Sequence, residues 1–475
     1  MKRFLFCLFF IFGPGIAMLN SHAQSLSHDS IKIIMDRCLH YLESKQIKET
    51  QEGQHYSGEW PVSMEMERGF FLLGLKKKVP DSNCFSVAGT HNLLARIYLS
   101  DTGRTEIPAM LSGSMRAILR YRNGERFNFW HLLPPFRKLY ARDTLYPHTF
   151  VRRPTHFRLK SRYINKAAHV VEDADDTALA YTALELYGRV CKGKESVLLA
   201  EKPMRIAGLF DAYRDTGRSN FHWYNFINHY QRNSGAYLTW HAPEYSFNQW
   251  SIFKTTFHNA TFYLPFSECY PFAYKPYMPY GSNDMDAVVN ANILSCLKLN
   301  GELHALGYAS GVQLLKRMIR LKKYDRVATY YPNRYQFPFA FAMAFYSGVE
   351  ELGEFRGDLS QDLLARQAAD GSWSSRRWIN RHDRIQSTAY AVNALLLLNN
   401  KPDRSIMQAI ERGFHYLMTK AHQEKQEMWW DGGVLFSGGT VVRLSLFWKS
   451  DAYTTALVAH ALELYRRQVL KEEKP

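Results

Sequence analysis

Thr177-Ala178-Leu179-Ala180-Tyr181-Thr182-Ala183-Leu184-Glu185-Leu186-Tyr187 is repeated almost residue for residue by Thr455-Ala456-Leu457-Val458-Ala459-His460-Ala461-Leu462-Glu463-Leu464-Tyr465. A third copy runs Thr388-Ala389-Tyr390-Ala391-Val392-Asn393-Ala394-Leu395. Each is apolar nearly all round and rich in alanine, the profile of a helix buried on every side and packed closely on its neighbours. Weaker relatives lie at Ser86–Leu99, Asp286–Leu299 and Phe337–Tyr346, which brings the set to six.

Between them run amphipathic stretches with charged outer faces: Asp29–Leu42, Ile107–Arg120, Pro203–Tyr213, Ala305–Arg320, Leu359–Arg366 and Arg404–Met418. In the last, Ile406, Ile410, Phe414 and Leu417 recur at helical spacing, so one stripe faces inward. Six buried helices alternating with six amphipathic ones predict an all-α fold, an (α/α)6 barrel or toroid with an inner and an outer ring. Inner-to-outer connections such as Asn300–His304 and Asn399–Asp403 are short. Outer-to-inner ones such as Tyr121–Glu172, Asp215–Asn283 and Thr419–Ser450 are long, and all emerge on the face where inner helices begin. Long loops on a rigid scaffold usually carry function.

On that face stands Glu172-Asp173-Ala174-Asp175-Asp176-Thr177. Carboxylates this close cannot all ionise cheaply once water is thinned out, so one proton tends to be retained, and a carboxylic acid protonated at neutral pH is equipped to act as a general acid. Acids at a helix start also cap free N–H groups and complement the dipole. Both readings stand on the residues alone.

Lys2 and Arg3, an apolar run from Phe4 to Leu19 and the small-residue site Ser21-His22-Ala23 make residues 1–23 a secretory signal peptide, with 24–475 as a single toroid domain in the periplasm or outside the cell. Gly13-Pro14-Gly15 interrupts the run, which argues against a membrane anchor. Lys and Arg number 60 against 44 acids, for a net charge of +16. That balance suits an acidic ligand or peripheral contact with an anionic membrane, and export excludes nucleic acid as a partner. Cys38, Cys84, Cys191, Cys269 and Cys296 follow the signal; their scattered spacing suggests buried thiols with at most one disulfide and no zinc site.

Three outer-to-inner loops carry a glutamine, a glycine four residues on, and an aromatic ring two further: Gln54…Gly58-Glu59-Trp60, Gln231…Gly235-Ala236-Tyr237 and Gln367…Gly371-Ser372-Trp373. These resemble the QW motif of the squalene–hopene cyclase and terpene cyclase superfamily, with tyrosine for tryptophan in the second. Asp173, Asp175, Asp176 and Thr177 resemble the D-x-D-D-T motif of its class II members. The resemblance implies protonation of an alkene or epoxide by Asp175, tuned by Asp173 and Asp176, in an isomerase acting on an isoprenoid or other unsaturated lipid. It implies no cofactor.

Other groups on the same face extend the candidate site. Asp284 and Asp286, with Asn290 one turn further, begin the third inner helix; they could bind substrate, supply a base or hold a divalent cation, or simply cap the helix. Arg152 and Arg153 lie in a basic, aromatic loop with Arg137, Lys138, Arg142, Arg158, Lys160 and Arg162. They could clamp an acidic group, while Trp240 and its neighbours His222, Trp223, Tyr224, Trp250 and Tyr270 wall an apolar or sugar portion. Two alternatives therefore remain open: a glycosidase or lyase pairing Asp175 with Asp286 or Glu59 across a cleft, and a non-catalytic binding protein for an acidic ligand.

Overall fold

The structure, a computed structural model, describes residues 26–66, 76–136, 150–156, 165, 168–192, 203–217, 233–242, 283–322, 328, 330–375, 383–438 and 446–468. The signal segment, Gln231 and Cys269 lie outside them, as do all residues named above for the basic and aromatic loops other than Arg152, Arg153 and Trp240.

Six helices form the inner ring: α2 (Cys84–Ser100), α4 (Ala174–Cys191), α6 (Ala287–Leu299), α8 (Gln336–Tyr346), α10 (Ile385–Leu398) and α12 (Asp451–Gln468). Each packs on the next, and α12 packs on α2, so the ring closes. The outer ring is α1 (His28–Lys45), α3 (Ile107–Leu119), α5 (Ala207–Asp211), α7 (Tyr308–Arg320), α9 (Arg356–Ala365) and α11 (Arg404–Thr419). The chain enters on an outer helix, so α1 finds its inner partner in α12, the last helix described. The fold is the predicted (α/α)6 toroid. Among the described residues, no helix is long and apolar enough to cross a membrane.

Helix α5 is shorter than the predicted 203–213. Glu302 caps its start by accepting the N–H groups of Ile206 and Ala207. Beyond Asp211 the chain leaves the helix so that Arg214 can pair with Tyr237 in an isolated antiparallel bridge. Small sheets also occupy the long-loop face. The largest joins β1 (Val62–Met66), β2 (Lys78–Asp81), β3 (Val434–Ser437) and β4 (Leu446–Lys449) in the order β2-β1-β4-β3, tying the first loop to the last.

The loops are anchored by one recurring device. Trp60, Trp373 and Trp430 are buried, and each indole Nε1 donates to the last turn of an outer helix, at the carbonyls of Leu42, Leu363 and Leu417. Gln367 Nε2 bonds the carbonyls of Gly371 and, on the next outer helix, Ala409. At the first junction the residue making these two bonds is Gln46, to Gly58 and Met110, not the Gln54 read from the spacing. A small loop containing the Gln51–His55 bridge is inserted after Gln46 and separates it from its glycine. Gly58 and Gly371 have φ of +92° and +83°, and a Cβ on either would collide with the backbone of Gly113 or Arg412. Only glycine fits both demands.

Cys38, Cys84, Cys191 and Cys296 are free thiols, three of them buried. Burial pushes the Cys38 and Cys84 thiols up, which makes them inert at neutral pH.

Candidate active site

Asp173, Asp175 and Asp176 are all buried at the start of α4. Asp173 is the cap: its Oδ1 accepts the Asp176 N–H at 2.8 Å, and its carbonyl accepts the Thr177 hydroxyl at 2.7 Å. That accounts for one aspartate and leaves two. Asp175 reaches sideways to α6, where the Asn292 amide donates to its Oδ1 at 2.7 Å. Asp176 turns toward α2 and the Cys84 thiol. Its Oδ1 is buried without a hydrogen-bond partner among the described residues.

Burial is the main force on all three, since it penalises the charged carboxylate. Asp173 is pushed up to about 6. Asp175 is raised well above the ordinary carboxylate value by burial, against the Asn292 bond and with the help of the Asp173 and Asp286 charges. Burial and the adjacent Asp173 charge likewise raise Asp176. The cluster therefore carries protons at neutral pH, with Asp175 held neutral on the wall of the ring.

Below the acids, on the barrel axis, lies a cavity of about 60 Å³ framed by α2, α4, α6, α8 and α12. Asn292 lines it and links it to Asp175; Phe85, Leu93, Leu179, Phe339 and Met343 make most of the rest apolar. Polar atoms of three lining residues, Asn92 Oδ1, Arg96 Nε and Gln336 Oε1, are buried without partners among the described residues. Over the mouth sits an aromatic cluster centred on Phe436 of β3. Its ring stacks on Tyr330 at 5.8 Å and Phe129 at 4.8 Å, and meets Trp448, Tyr331 and Phe85 at 5.4–6.1 Å.

The other predicted residues divide sharply. Trp240 joins the site: it bridges Asp173 in an antiparallel pair and its indole donates to the Tyr330 hydroxyl at 3.0 Å. Asp286 is near enough to raise Asp175, but its own oxygens accept the N–H groups of Val288, Val289 and Tyr330. Burial and the Asp284 charge push Asp286 up to about 7. Asn290 faces away from the axis and is spent on the backbone N–H and C=O of Tyr237 and the carbonyl of Asp286. Asp284 is buried, and its carbonyl accepts the Thr239 N–H. Arg152 donates to the Trp130 carbonyl, and Arg153 to the carbonyls of Pro134 and Pro154 while stacking on Phe136 at 3.9 Å. Both arginines brace their own loop. Glu59 is enclosed by Tyr121, His131 and Ser82, which bond its carboxylate. Among the described residues no group of His, Cys, Asp or Glu is arranged to hold a metal.

Asn292, Cys84, Gln336 and Arg96 were not singled out from sequence. A signal was present: a polar side chain inside an otherwise apolar inner helix must have a partner or a purpose.

No protein-family model matches the chain, and no curated protein matches it. Among solved structures, the chain is similar to the type II terpene cyclase MstE from Scytonema, with 12% identity over 93% of this chain and 100% of that one, at a TM-score of 0.49. The ent-copalyl diphosphate synthase from Streptomyces platensis shares 13% identity over 79% of this chain and 50% of its own, at 0.39. The cellobiose 2-epimerase from Spirochaeta thermophila shares 10% over 94% and 97%, at 0.45. Likeness at this level concerns architecture alone; the chemistry rests on this chain's own residues.

Proposed function

We propose that this is an exported, acid-initiated isomerase of the cyclase type, in which Asp175 protonates a carbon–carbon double bond of an isoprenoid-like lipid. The observation that supports it most is the pairing of a buried, proton-bearing carboxyl with an apolar cavity that Asn292 connects to it. Asn292 occupies Oδ1, which assigns the transferable proton to Oδ2. Transfer to the alkene makes a carbocation; the aromatic walls stabilise cationic charge through their ring faces. A neighbouring double bond closes the ring, and a proton lost from another carbon restores neutrality, so substrate and product are isomers. Residues 1–23 as a signal peptide place the lipid on the far side of the membrane.

The glycosidase reading has less support. Asp286 is tied up in capping, and the described mouth is filled by stacked rings rather than an open groove with facing carboxylates. The test is turnover of unsaturated isoprenoids in deuterium oxide. The expected product has the substrate's skeleton with one fewer double bond, one new ring and one deuterium, and Asp175→Asn lowers its formation by about 10²-fold or more. Undiminished turnover by that variant sinks the proposal.

A further inference from the structure

Arg96 lines the axial cavity from the last turns of α2, at the end away from the acids. Its Nη2 donates to the Ser347 hydroxyl at 2.9 Å, the same hydroxyl that meets Ser295 at 2.7 Å. Its guanidinium lies 5.9 Å from the Tyr346 ring, and its Nε is buried without a hydrogen-bond partner. Two buried or half-buried arginines at this end of the barrel have carboxylates: Arg104 pairs with Asp36 and Asp101, and Arg466 with Glu463 and Asp101. No carboxylate pairs with Arg96 among the described residues. Arg96 is half-buried, with its Nε shut off from water, and a cation in that setting without a countercharge gains when a ligand brings one. Burial, with Arg189 nearby, lowers it to about 10, so it stays charged at neutral pH.

We propose that the cavity binds an unsaturated monocarboxylate, its carboxylate on Arg96 and its double bond beside Asp175. This rests on the acid role of Asp175 for the second half of the statement only. The spacing is set by α6, where Asn292 holds Asp175 and Ser295, one turn on, meets the Arg96 partner Ser347. One turn is roughly 5 Å of rise, the length of a four- to six-carbon chain, and the hydrogen bonds at either end add to it, so the reactive alkene belongs at least that far from the carboxylate. Geranic acid has this layout in its distal double bond. A small cavity with a single cation suits one charge; a diphosphate would need more. At about 60 Å³ the cavity holds only part of such a chain, so Met343, a flexible side chain on its wall, must move to admit the branched end.

The experiment compares dissociation constants of geranic acid, geraniol and geranyl diphosphate for the full-length mature chain by calorimetry. Expected is at least tenfold tighter binding of geranic acid than geraniol. In Arg96→Gln the two bind alike, with geraniol unchanged; in Arg96→Lys, which keeps the charge if the neutral variant fails to fold, geranic acid is still preferred. Equal binding of acid and alcohol by the wild type, or a preference that survives Arg96→Gln, overturns the proposal. Diphosphate binding tighter than the acid overturns the single-charge assignment. Asp175→Asn is expected to keep the acid preference. Binding through Arg96 with no turnover would therefore remove the acid role and leave this site standing, whereas Asp175-dependent turnover of neutral lipids with no acid preference would do the reverse.

Discussion

Helices α4 and α6 are neighbours in the inner ring and begin alike. Asp173 and Asp286 cap them; four residues on, Thr177 and Asn290 bond back to the cap carbonyl and take the N–H of a loop aromatic, Phe127 or Tyr237. Thr388 and Thr455 accept the N–H of Trp373 and Trp430 in the same manner on α10 and α12. The difference lies just before that residue. Where α4 has Asp175 and Asp176, α6 has Val288 and Val289, α10 has Gln386 and Ser387, and α12 has Tyr453 and Thr454. The shared positions hold the loops in place, and the variable pair meets the barrel interior. A cap can be acidic on every helix without consequence; a second and third acid on one helix are surplus to capping.

The same Asp→Asn change should therefore behave differently on the two helices. Asp175→Asn is expected to lower turnover by about 10²–10⁴, the usual contribution of a general acid, with no loss in thermal midpoint. Asn290→Ala removes the amide that satisfies both polar groups of Tyr237 and should destabilise the protein by about 3 kcal/mol, read by urea denaturation. A loss below about 1 kcal/mol would show that the α6 junction is not built as described. Asn292→Leu takes away the bond that opposes the rise in Asp175. Turnover should drop about tenfold from lost positioning, and the alkaline limb of its pH profile should move upward.

Asp286→Asn is the mildest test, because asparagine caps equally well. Asp286 titrates at about 7 in the fold against a reference of 3.8. A raised carboxyl contributes its stability in full below the unfolded value and loses it as pH climbs through the folded one. Stability of the wild type should thus fall between about pH 4 and 7 and level off above. In Asp286→Asn that fall should be shallower, on a baseline slightly lowered because the amide Nδ2 cannot accept the Tyr330 N–H that Asp286 Oδ2 accepts. An unchanged slope would mean that Asp286 stays ionised.

The architecture was legible because a closed ring needs helices that are apolar on every side, and alternation with one-faced helices leaves few other solutions. The acid cluster was legible for its excess over capping. Asp286 and Asn290 misled for a physical reason: a helical spacing of four says that two residues share a face, but not which way that face turns, and here Asn290 faces the outer junction. Gln54 misled because an inserted loop shifted the spacing while leaving Gln46 to make the bonds. Trp430 repeats the anchoring bond with neither glutamine nor glycine, so no motif marked it. Arg96 was hidden by its setting, one cation in an ordinary inner helix whose meaning depends on four other helices.

The ring is closed by strands β1 and β4 and by the packing of α1 on α12, joining parts of the chain at opposite ends of the sequence. During synthesis the first outer helix is made long before the surface it covers. Ile31, Met35, Leu39 and Leu42, fully buried in the finished protein, must wait for the last helix to leave the ribosome or translocon. Such long-range closure slows folding and prolongs the exposure of apolar surface. Removing α12 should therefore do more than subtract one helix: it would leave a torus permanently open, with its earliest-made segment as the sticky edge.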